Sequence, residues 1–203
     1  MNLNEQWEKY LKDSGADVVC FVDASTLPLD DTGGCNCVVL FGKALSKEYV
    51  IALRAGQKPK RNEAINLESK MNRLAAKLTE KLEAEGHKCI TKFKFALLPH
   101  KMVALRAGLG FIGKNNLLVN EQYGCTLMLG KVLTSAPFVT MSTTPKEPSC
   151  GDCSVCVDMC PTKALLGTTW NESLSRDDIM VRKHCKVCGW CMVWCPYTEK
   201  YAE

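Results

Sequence analysis

The sequence CGDCSVCVDMCP at residues 150–161 and the sequence CKVCGWCMVWCP at residues 185–196 share one spacing, C-x2-C-x2-C-x3-C-P. These two runs hold eight of the thirteen cysteines in a chain of 203 residues. Three thiolates at two-residue intervals allow one tight loop to hold three corners of an iron–sulfur cubane. The fourth corner must then come from outside that loop. The proline after each last cysteine has a fixed φ and no N–H, so it ends the local turn.

This spacing is typical of bacterial ferredoxins with two [4Fe–4S] clusters, in which the last cysteine of each run binds the other cluster. It predicts a small two-cluster ferredoxin-like domain at residues 150–203. The predicted ligands of cluster 1 are Cys150, Cys153, Cys156 and Cys195. The predicted ligands of cluster 2 are Cys185, Cys188, Cys191 and Cys160. Zinc sites or a disulfide framework are the alternatives, but zinc favours separated C-x2-C pairs and disulfides belong to small secreted chains.

Composition and charge describe an ordinary globular protein, with 46% hydrophobic residues, 24% charged residues and a net charge of +4. No apolar run approaches the ~20 residues that a membrane span needs. The N-terminal sequence MNLNEQWEKYLKDSG lacks the features of a secretion signal. We therefore expect a cytoplasmic protein without a membrane partner. Nucleic acid is not an expected partner either, because Lys and Arg are dispersed rather than gathered in one stripe.

Helices and strands intermix through residues 1–140 and predict an α/β (α+β) sandwich core. Apolar residues at helical spacing indicate helices at 3–14, 46–54, 62–85 and 100–106. Short apolar or alternating segments indicate strands at 17–22, 37–41, 89–95, 117–119 and 126–133. The polar stretch 141–149 contains Pro145 and Pro148, and it is predicted to link this core to the cysteine-rich domain.

The sequence AGLGFIGKN at residues 107–115 contains the glycine pattern G-x-G-x-x-G. A dinucleotide site would need a strand before this pattern and an acidic residue ~20 positions after it. Here Pro99 and a predicted helix precede the glycines, so a Rossmann site is not favoured. Two interpretations remain: a tight turn in which glycine permits a positive φ and close packing, or a site for a different cofactor.

Three segments resemble the epoxyqueuosine reductases, which are similar in turn to reductive dehalogenases. They are LPHKMVALRAGLGFIGKNNLLVNEQYG from residue 98, LGKVLTSAPF from residue 129, and the first cysteine run. The resemblance implies a core related to flavin nitroreductases that holds a cobalamin and receives electrons from the two-cluster domain. It also implies a corrinoid-side pocket that includes Gly108, Gly110, Gly113, Lys114 and Asn115. A reductase that binds FMN, or an electron-transfer protein without an organic cofactor, is the alternative.

Two features of this chain argue against the tRNA substrate that the resemblance implies. Family members carry an acidic proton donor ahead of the glycine loop, where this chain has Lys94, Phe95 and Ala96. Family members also continue beyond the second cluster, whereas this sequence stops at Glu203. We therefore expect a small molecule or another unidentified substrate rather than tRNA. The expected electron donor is a low-potential protein of the ferredoxin or flavodoxin type.

Candidate catalytic and surface residues flank these motifs. His100 and Lys101 are candidates for a proton donor or an anion contact, because imidazole can donate a proton near neutral pH. Tyr123 is a third candidate, and for each of the three a purely structural role is the alternative. Four basic residues near the cysteines either offset cluster charge, dock an electron donor or form ordinary surface. They are Lys163, Lys183, His184 and Lys186.

Five cysteines lie outside the two runs. Cys20, Cys89 and Cys125 fall in predicted apolar strands, so each is predicted to be a small buried core residue. Cys35 and Cys37 are too close in sequence for a zinc pair and receive no assigned role.

Overall fold

The computed structural model of the chain describes residues 2–25, 32–57, 62–90 and 99–203. Its helices are α1 (Leu3–Asp13), α2 (Lys47–Arg54), α3 (Glu63–Ala84), α4 (His100–Arg106), α5 (Val155–Asp158), α6 (Trp190–Val193) and α7 (Pro196–Ala202). Its strands are β1 (Val18–Asp23), β2 (Cys37–Ala44), β3 (Cys89–Ile90), β4 (Phe111–Ile112), β5 (Leu118–Val119) and β6 (Leu127–Thr134). Two short 3-10 helices, Arg176–Asp178 and Arg182–His184, lie between the cysteine runs.

Contacts divide the chain into two units, and neither is one continuous stretch of sequence. The first unit consists of Met1–Ala44, Ala64–Gly108 and Met128–Thr144. The second consists of Leu45–Glu63, Leu109–Leu127 and Pro145–Glu203.

The first unit is built on a four-stranded sheet with the strand order β1-β2-β6-β3. Strands β1 and β2 are antiparallel, with Val18 opposite Gly42 and Asp23 opposite Cys37. Strands β3 and β6 are also antiparallel, with Cys89 opposite Thr134. Seven of the eight residues of β2 are buried, as expected for a strand whose sequence is apolar on both faces.

Helices α1 and α3 supply the helical part of the core in the first unit. Helix α1 begins with a capping box, in which the side chains of Asn2 and Glu5 each accept the backbone N–H of the other residue. The predicted apolar stripe of α3 is buried from Met71 to Leu82. These residues pack in one cluster with Trp7 of α1 and with side chains of the sheet. The helical periodicity of the sequence therefore predicted the buried face of α3.

The second unit gathers short elements around the two cysteine runs. Strands β4 and β5 form a hairpin in which Phe111 lies opposite Val119. Helix α2 contacts both α6 and α7. At the end of α2, Arg54 forms an ion pair of 2.5 Å with Glu199 of α7.

Most predicted elements lie within a few residues of their positions in the structure, and the mixed α/β class is confirmed. The strand predicted at 89–95 is described only at Cys89–Ile90, and residues 91–98 lie outside the described residues. Strand β4 was not predicted. No helix in the described ranges combines the length and the apolar character that a bilayer crossing requires.

The predicted domains differ from the two compact units. The sequence suggested a core at 1–140, a linker at 141–149 and a cysteine domain at 150–203. In the structure, residues 45–63 and 109–127 group with the cysteine runs instead of with the sheet. The physical reason is that α2 and the β4–β5 hairpin pack against the helices and loops that carry the cysteines.

Candidate metal centre

Four cysteine side chains surround one cavity in the second unit. Cys150, Cys153 and Cys156 come from the first run, and Cys195 comes from the second. The cavity has a volume of about 200 Å³. The structure therefore brings together the four residues that the crossed spacing assigned to cluster 1.

Local backbone structure positions Cys195 at this cavity. Cys195 is the N-cap residue of α7, and Pro196 occupies the first helical turn. Proline is suited to that position because it needs no acceptor for an N–H and its φ is already helical. The thiol of Cys125 and the backbone N–H groups of Tyr197 and Thr198 lower the pKa of Cys195, and the N–H of Thr198 donates to the carbonyl oxygen of Cys195 at 2.8 Å. The start of α7 thus offers the donors that favour a thiolate.

Burial and neighbouring thiols oppose ionisation of the first group. Burial, followed by the charges of Cys195, Cys150 and Cys153, raises the pKa of Cys156 to about 11. Burial also raises the pKa of Cys150, although the backbone N–H and the ammonium group of Lys114 act in the opposite direction. Thiolates this close repel one another, so a positively charged group among them is needed to keep all of them ionised.

The second group is more open to solvent. Burial is the largest cause that raises the pKa of Cys191 to about 12, followed by the charges of Cys188, Cys156, Cys185 and Cys160. Cys160 is buried in one cluster with Cys156, and Cys191 packs against that cluster. By contrast, Cys185 and Cys188 are exposed. The four residues assigned to cluster 2 are therefore electrostatic neighbours, drawn from both runs.

All thirteen cysteines are free thiols and belong to the described part of the chain. Among the described residues, no group of three or more His, Cys, Asp or Glu side chains is close enough together to hold one metal ion. The thiols of the first group are instead distributed around the wall of their cavity.

Lys114 and Asn115 of the glycine loop contact the two cysteine runs. The Nζ atom of Lys114 donates to the carbonyl of Gly151 at 2.7 Å and to that of Cys153 at 3.2 Å. The Nδ2 atom of Asn115 donates to the carbonyl of Cys191 at 3.1 Å. Lys114 therefore binds the first cysteine run, and Asn115 binds the second. The resemblance assigned both residues to a corrinoid-side pocket, but these contacts are with the cysteine loops.

The glycines of this loop allow close packing. A Cβ atom on Gly110 would lie 1.9 Å from the carbonyl oxygen of Val119, and one on Gly108 would lie 3.0 Å from Oγ1 of Thr143. A Cβ atom on Gly113 would lie 2.8 Å from Oδ1 of Asn115. Protein atoms fill the side-chain space of all three glycines, which favours the tight-turn interpretation of the motif.

Cys125 is buried, in agreement with its predicted place in the core, but it also contacts a predicted ligand. Its S–H donates to the sulfur of Cys195, which lowers the pKa of Cys195 and raises that of Cys125. Nδ2 of Asn115 donates to the sulfur of Cys125 at 3.3 Å. The backbone N–H of Cys125 donates to Oγ1 of Thr198 at 2.9 Å. Sequence reasoning missed this network because Cys125 and Thr198 are 73 positions apart.

The three candidate catalytic residues belong to different units. His100 and Lys101 begin α4 in the first unit, whereas Tyr123 belongs to the second. His100 is exposed as a whole residue, yet the protein around its ring and the charge of Lys131 lower its pKa to about 4. This lowered pKa disfavours the imidazolium form that a proton donor near neutral pH requires. Tyr123 packs its ring edge against Tyr201, with 5.8 Å between ring centroids.

Lys131 is a charged residue that the sequence analysis did not single out. It lies in β6 and is only 8% exposed. Burial lowers its pKa to about 8. An amine that titrates near neutral pH can act as a general acid. The sequence signal was a lysine within the apolar segment LMLGKVLT, where a charged side chain has no ordinary packing role.

Sequence comparison finds curated relatives for part of this chain, whereas no family model matches it. An epoxyqueuosine reductase of Staphylococcus aureus is 47% identical over 74 residues, which are 35% of this chain and 18% of the relative. One of Listeria monocytogenes is 38% identical over 111 residues, which are 48% of this chain and 29% of the relative. This chain is similar to the epoxyqueuosine reductases. The matched stretches span less than a third of the length of either relative.

Solved structures extend the similarity to epoxyqueuosine reductases over nearly the whole chain. The enzyme of Streptococcus thermophilus has a TM-score of 0.66 over 98% of this chain and 67% of its own, at 21% identity. An epoxyqueuosine reductase with an epoxyqueuosine-modified tRNA-Tyr stem loop has a TM-score of 0.65 over 97% of this chain and 65% of its own, at 18% identity. A catabolic reductive dehalogenase in complex with 3-bromo-4-hydroxybenzoic acid has a TM-score of 0.67 over 91% of this chain and 30% of its own, at 17% identity. These low identities establish a shared fold.

The resemblance predicted from the three sequence segments is therefore confirmed. The epoxyqueuosine reductase-like fold includes both the sheet unit and the cysteine unit, because the alignment with the Streptococcus enzyme covers 98% of the chain.

Proposed function

We propose that this epoxyqueuosine reductase-like chain is an iron–sulfur oxidoreductase that passes electrons through two [4Fe–4S] clusters. The observation that supports this proposal is the position of Cys195, which joins three cysteines of the other run around one cavity. Two-cluster ferredoxins complete their ligand sets in the same crossed manner. The proposal therefore includes a ferredoxin-like arrangement of the two runs.

The cysteines fit the shape of a cubane. Each iron of a cubane takes one thiolate, so the four ligands must surround a volume rather than meet at one point. Cys150, Cys153, Cys156 and Cys195 surround about 200 Å³. When bound, a cluster supplies one-electron transfer. The chain contributes an N–H donor to one proposed ligand sulfur, from Ala164 to Cys160 at 3.3 Å, and the backbone N–H groups of Lys114 and Tyr197 favour the thiolate forms of Cys150 and Cys195.

A cobalamin in a nitroreductase-like core is the finer part of the expectation, and it comes from the resemblance alone. The residues assigned to that pocket do not fit the role in the described structure. The side-chain space of Gly108, Gly110 and Gly113 is filled by protein atoms, and Lys114 and Asn115 bond to the cysteine loops. The glycine loop is therefore not proposed as the binding site of a corrinoid or a flavin.

The same misfit favours a second candidate function, an electron-transfer protein without an organic cofactor. In that case the glycine loop has a structural role. Lys114 donates a hydrogen bond to the first cysteine run, and Asn115 donates one to the second. The two candidates share the clusters and differ only in the first unit.

The substrate and the donor belong to the proposal as well. One solved relative is in complex with a tRNA stem loop. For this chain we propose a small-molecule or other unidentified acceptor, because Lys94, Phe95 and Ala96 replace the acidic segment expected from the family. Those three positions lie outside the described residues. A low-potential ferredoxin or flavodoxin is the proposed donor, and Lys131 and Lys101 are the proposed acid or anion contacts of the first unit.

Iron content tests the clusters directly. Anaerobically purified protein should contain about eight irons per chain and give the electron paramagnetic resonance signal of reduced [4Fe–4S] clusters. Cys153→Ala and Cys188→Ala should each lose iron, because each removes a ligand of one cluster. Cys89→Ala is the matched control, since Cys89 lies in β3 of the first unit. Full iron content in both ligand variants would contradict the proposal.

Titration of the reconstituted protein separates the two candidate functions. Binding of cobalamin supports the resemblance-based reductase, and binding of FMN supports a flavin-dependent reductase. If neither binds while the clusters are intact, the electron-transfer protein is the correct function.

A further inference from the structure

The second cysteine run lies on an unusually exposed segment. All seven residues from Arg182 to Cys188 are exposed, and two of them, Cys185 and Cys188, are proposed cluster ligands. The first run differs, because Cys156 and Cys160 are buried and Cys150 and Cys153 are half-buried. The second cluster is therefore the one that an external protein can approach closely.

Charge also distinguishes the two runs. Between its cysteines the first run carries Asp152 and Asp158, whereas the second carries Lys186 and no acidic residue. Arg182, Lys183 and His184 precede the second run directly, and the sequence from Ile179 to Thr198 contains no Asp or Glu. An exposed surface of one sign attracts partners of the opposite sign over several ångströms and raises their rate of encounter.

One residue of this exposed segment is apolar and conformationally unusual. Val187 is 89% exposed, and its φ of 52° lies in the left-handed region. A β-branched residue there is a genuine outlier, and such residues concentrate at functional sites. Trp190, 39% exposed, adds a second apolar side chain nearby in the sequence. An exposed apolar residue among basic residues is typical of the centre and rim of a protein interface.

We propose that Arg182, Lys183, His184, Lys186, Val187 and Trp190 form the docking surface for an acidic electron-carrier protein, and that electrons arrive at the cluster held by Cys185 and Cys188. The inference rests on the proposed function, because it requires that cluster. It adds which cluster is reduced first, which face of the second unit receives the donor, and the charge of the donor.

A nucleic acid is the rival occupant of a basic surface. The observations favour a protein, because phosphate binding needs no exposed valine and because the basic residues adjoin proposed cluster ligands in the sequence. Electron transfer requires the donor to dock next to a cluster, whereas binding of a phosphate backbone has no such requirement.

The test measures how fast a reduced flavodoxin, an acidic protein, reduces the cluster-loaded chain in an anaerobic stopped-flow instrument. At low ionic strength, Lys183→Glu with Lys186→Glu should lower the second-order rate constant by about tenfold or more. The loss should shrink as salt is added, because salt screens exposed charges. Val187→Gly should give a smaller loss that persists in high salt, since it removes apolar contact and no charge.

A matched control separates local docking from net charge. Arg73→Glu with Lys77→Glu changes the net charge by the same amount on exposed positions of α3 in the first unit. This variant should retain nearly the wild-type rate constant. Equal rates for the Lys183/Lys186 variant and the wild type, with full iron content in both, would overturn the docking surface and leave the proposed function intact. Absence of iron from the wild-type protein would overturn both.

Binding of a fluorescent tRNA stem loop tests whether this surface binds nucleic acid instead of a protein. If that RNA binds tightly, and the Lys183/Lys186 variant loses this binding but keeps its reduction rate, the surface belongs to nucleic acid and our inference is wrong. Weak RNA binding that is equal in both proteins, together with the lowered reduction rate, supports the inference.

Discussion

At the scale of single residues, the sulfur of Cys195 has a donor that spacing rules do not reveal. The amide nitrogen of Asn115 can only donate, so the sulfur of Cys125 accepts from it and is left to donate its one proton to Cys195. A hydrogen bond to a ligand sulfur stabilises the reduced, more negative cluster and raises its potential. Cys125→Ala should therefore lower the potential of cluster 1 by on the order of 40 mV, the equivalent of ~1 kcal/mol for one electron.

A redox titration followed by electron paramagnetic resonance measures this shift. Cys125→Ser is the matched control, because a hydroxyl keeps the donor and should hold the potential near the wild-type value. Iron content should stay unchanged in both variants, since Cys125 is not a proposed ligand. An unshifted potential in Cys125→Ala would show that the S–H of Cys125 does not act on the cluster.

Lys131 is a second residue whose effect can be measured, because burial of its charge lowers the free energy of unfolding. Its pKa is about 8 in the folded chain and 10.5 as an ordinary lysine, so between these values the unfolded chain binds a proton that the folded chain lacks. The contribution of Lys131 to the free energy of unfolding therefore rises with pH from about 8 to 10.5. Below about 8 this contribution is constant and at its lowest. The upper limit of this cost at neutral pH is about 3 kcal/mol.

Lys131→Met should accordingly stabilise the protein at pH 7, by about 1 to 3 kcal/mol. The methionine keeps an apolar side chain of similar length and carries no charge to desolvate. The gain should diminish at pH 9.5, where the wild-type lysine is mostly neutral in the folded state. Anaerobic urea unfolding at both pH values measures it. A loss of stability at pH 7 would show that the interactions of Lys131 with its neighbours outweigh the cost of burying its charge.

The sequence indicated candidate ligands, whereas it did not indicate their neighbours in the fold. A cubane constrains spacing within one loop, so the eight cysteines were recognisable from short-range pattern alone. Cys125, by contrast, was assigned only to the core, and its contact with Cys195 depends on how distant segments pack. His100 shows the same limit, because its low pKa results from burial and from Lys131 rather than from its own sequence context.

At the scale of elements, the start of α7 is held against the segment after the β4–β5 hairpin. A Cβ atom on Gly124, whose φ is 56°, would lie 2.4 Å from Cα of Thr198. Gly56 has a similar φ of 71°, but among the described residues no atom lies within 4 Å of the same position. Gly56→Ala should therefore cost only the left-handed backbone strain, about 1 to 2 kcal/mol.

Gly124→Ala should cost more, about 3 kcal/mol or above, because backbone strain and overpacking against α7 add together. It should also disturb the cluster, since Thr198 accepts the N–H of Cys125 and its own N–H donates to Cys195. Thermal unfolding of the two variants, with cluster absorbance recorded in parallel, compares them. Equal midpoints would mean that α7 moves aside to accept the methyl group.

Long elements were predictable from their periodicity, and of the two-residue strands in the hairpin, β5 matches the strand predicted at 117–119 whereas β4 was not predicted. Helix α3 has 22 residues, enough for its apolar period to repeat several times. Strands β4 and β5 have two residues each, which is too short for any period to appear. Their pairing depends on Gly110, whose missing Cβ allows the carbonyl of Val119 to approach. The glycine pattern indicated a close approach, but not which atom would fill the space.

At the scale of the whole molecule, the order of the chain and the grouping of its contacts disagree. The sequence suggested that residues 150–203 form a domain of their own, because all eight spaced cysteines lie there. In the structure, Val193 and Thr198 are fully buried, and part of their surroundings comes from residues 45–63 and 109–127. Composition cannot reveal that these two segments pack with the cysteine runs, because in sequence α2 and the β4–β5 hairpin resemble ordinary members of the core.

A fragment of residues 145–203 should therefore fail to hold its clusters as the full chain does. It lacks Arg54, the ion-pair partner of Glu199. It also lacks Lys114, Asn115 and Cys125, which contact the cysteine runs. We expect less than half of the iron of the full chain after identical anaerobic reconstitution, because unsupported apolar surface and lost hydrogen bonds oppose folding of so short a fragment. Adding residues 45–63 and 109–127 through flexible linkers should restore iron binding, and a fragment that binds the full complement of iron without them would show that the contacts of these segments are dispensable.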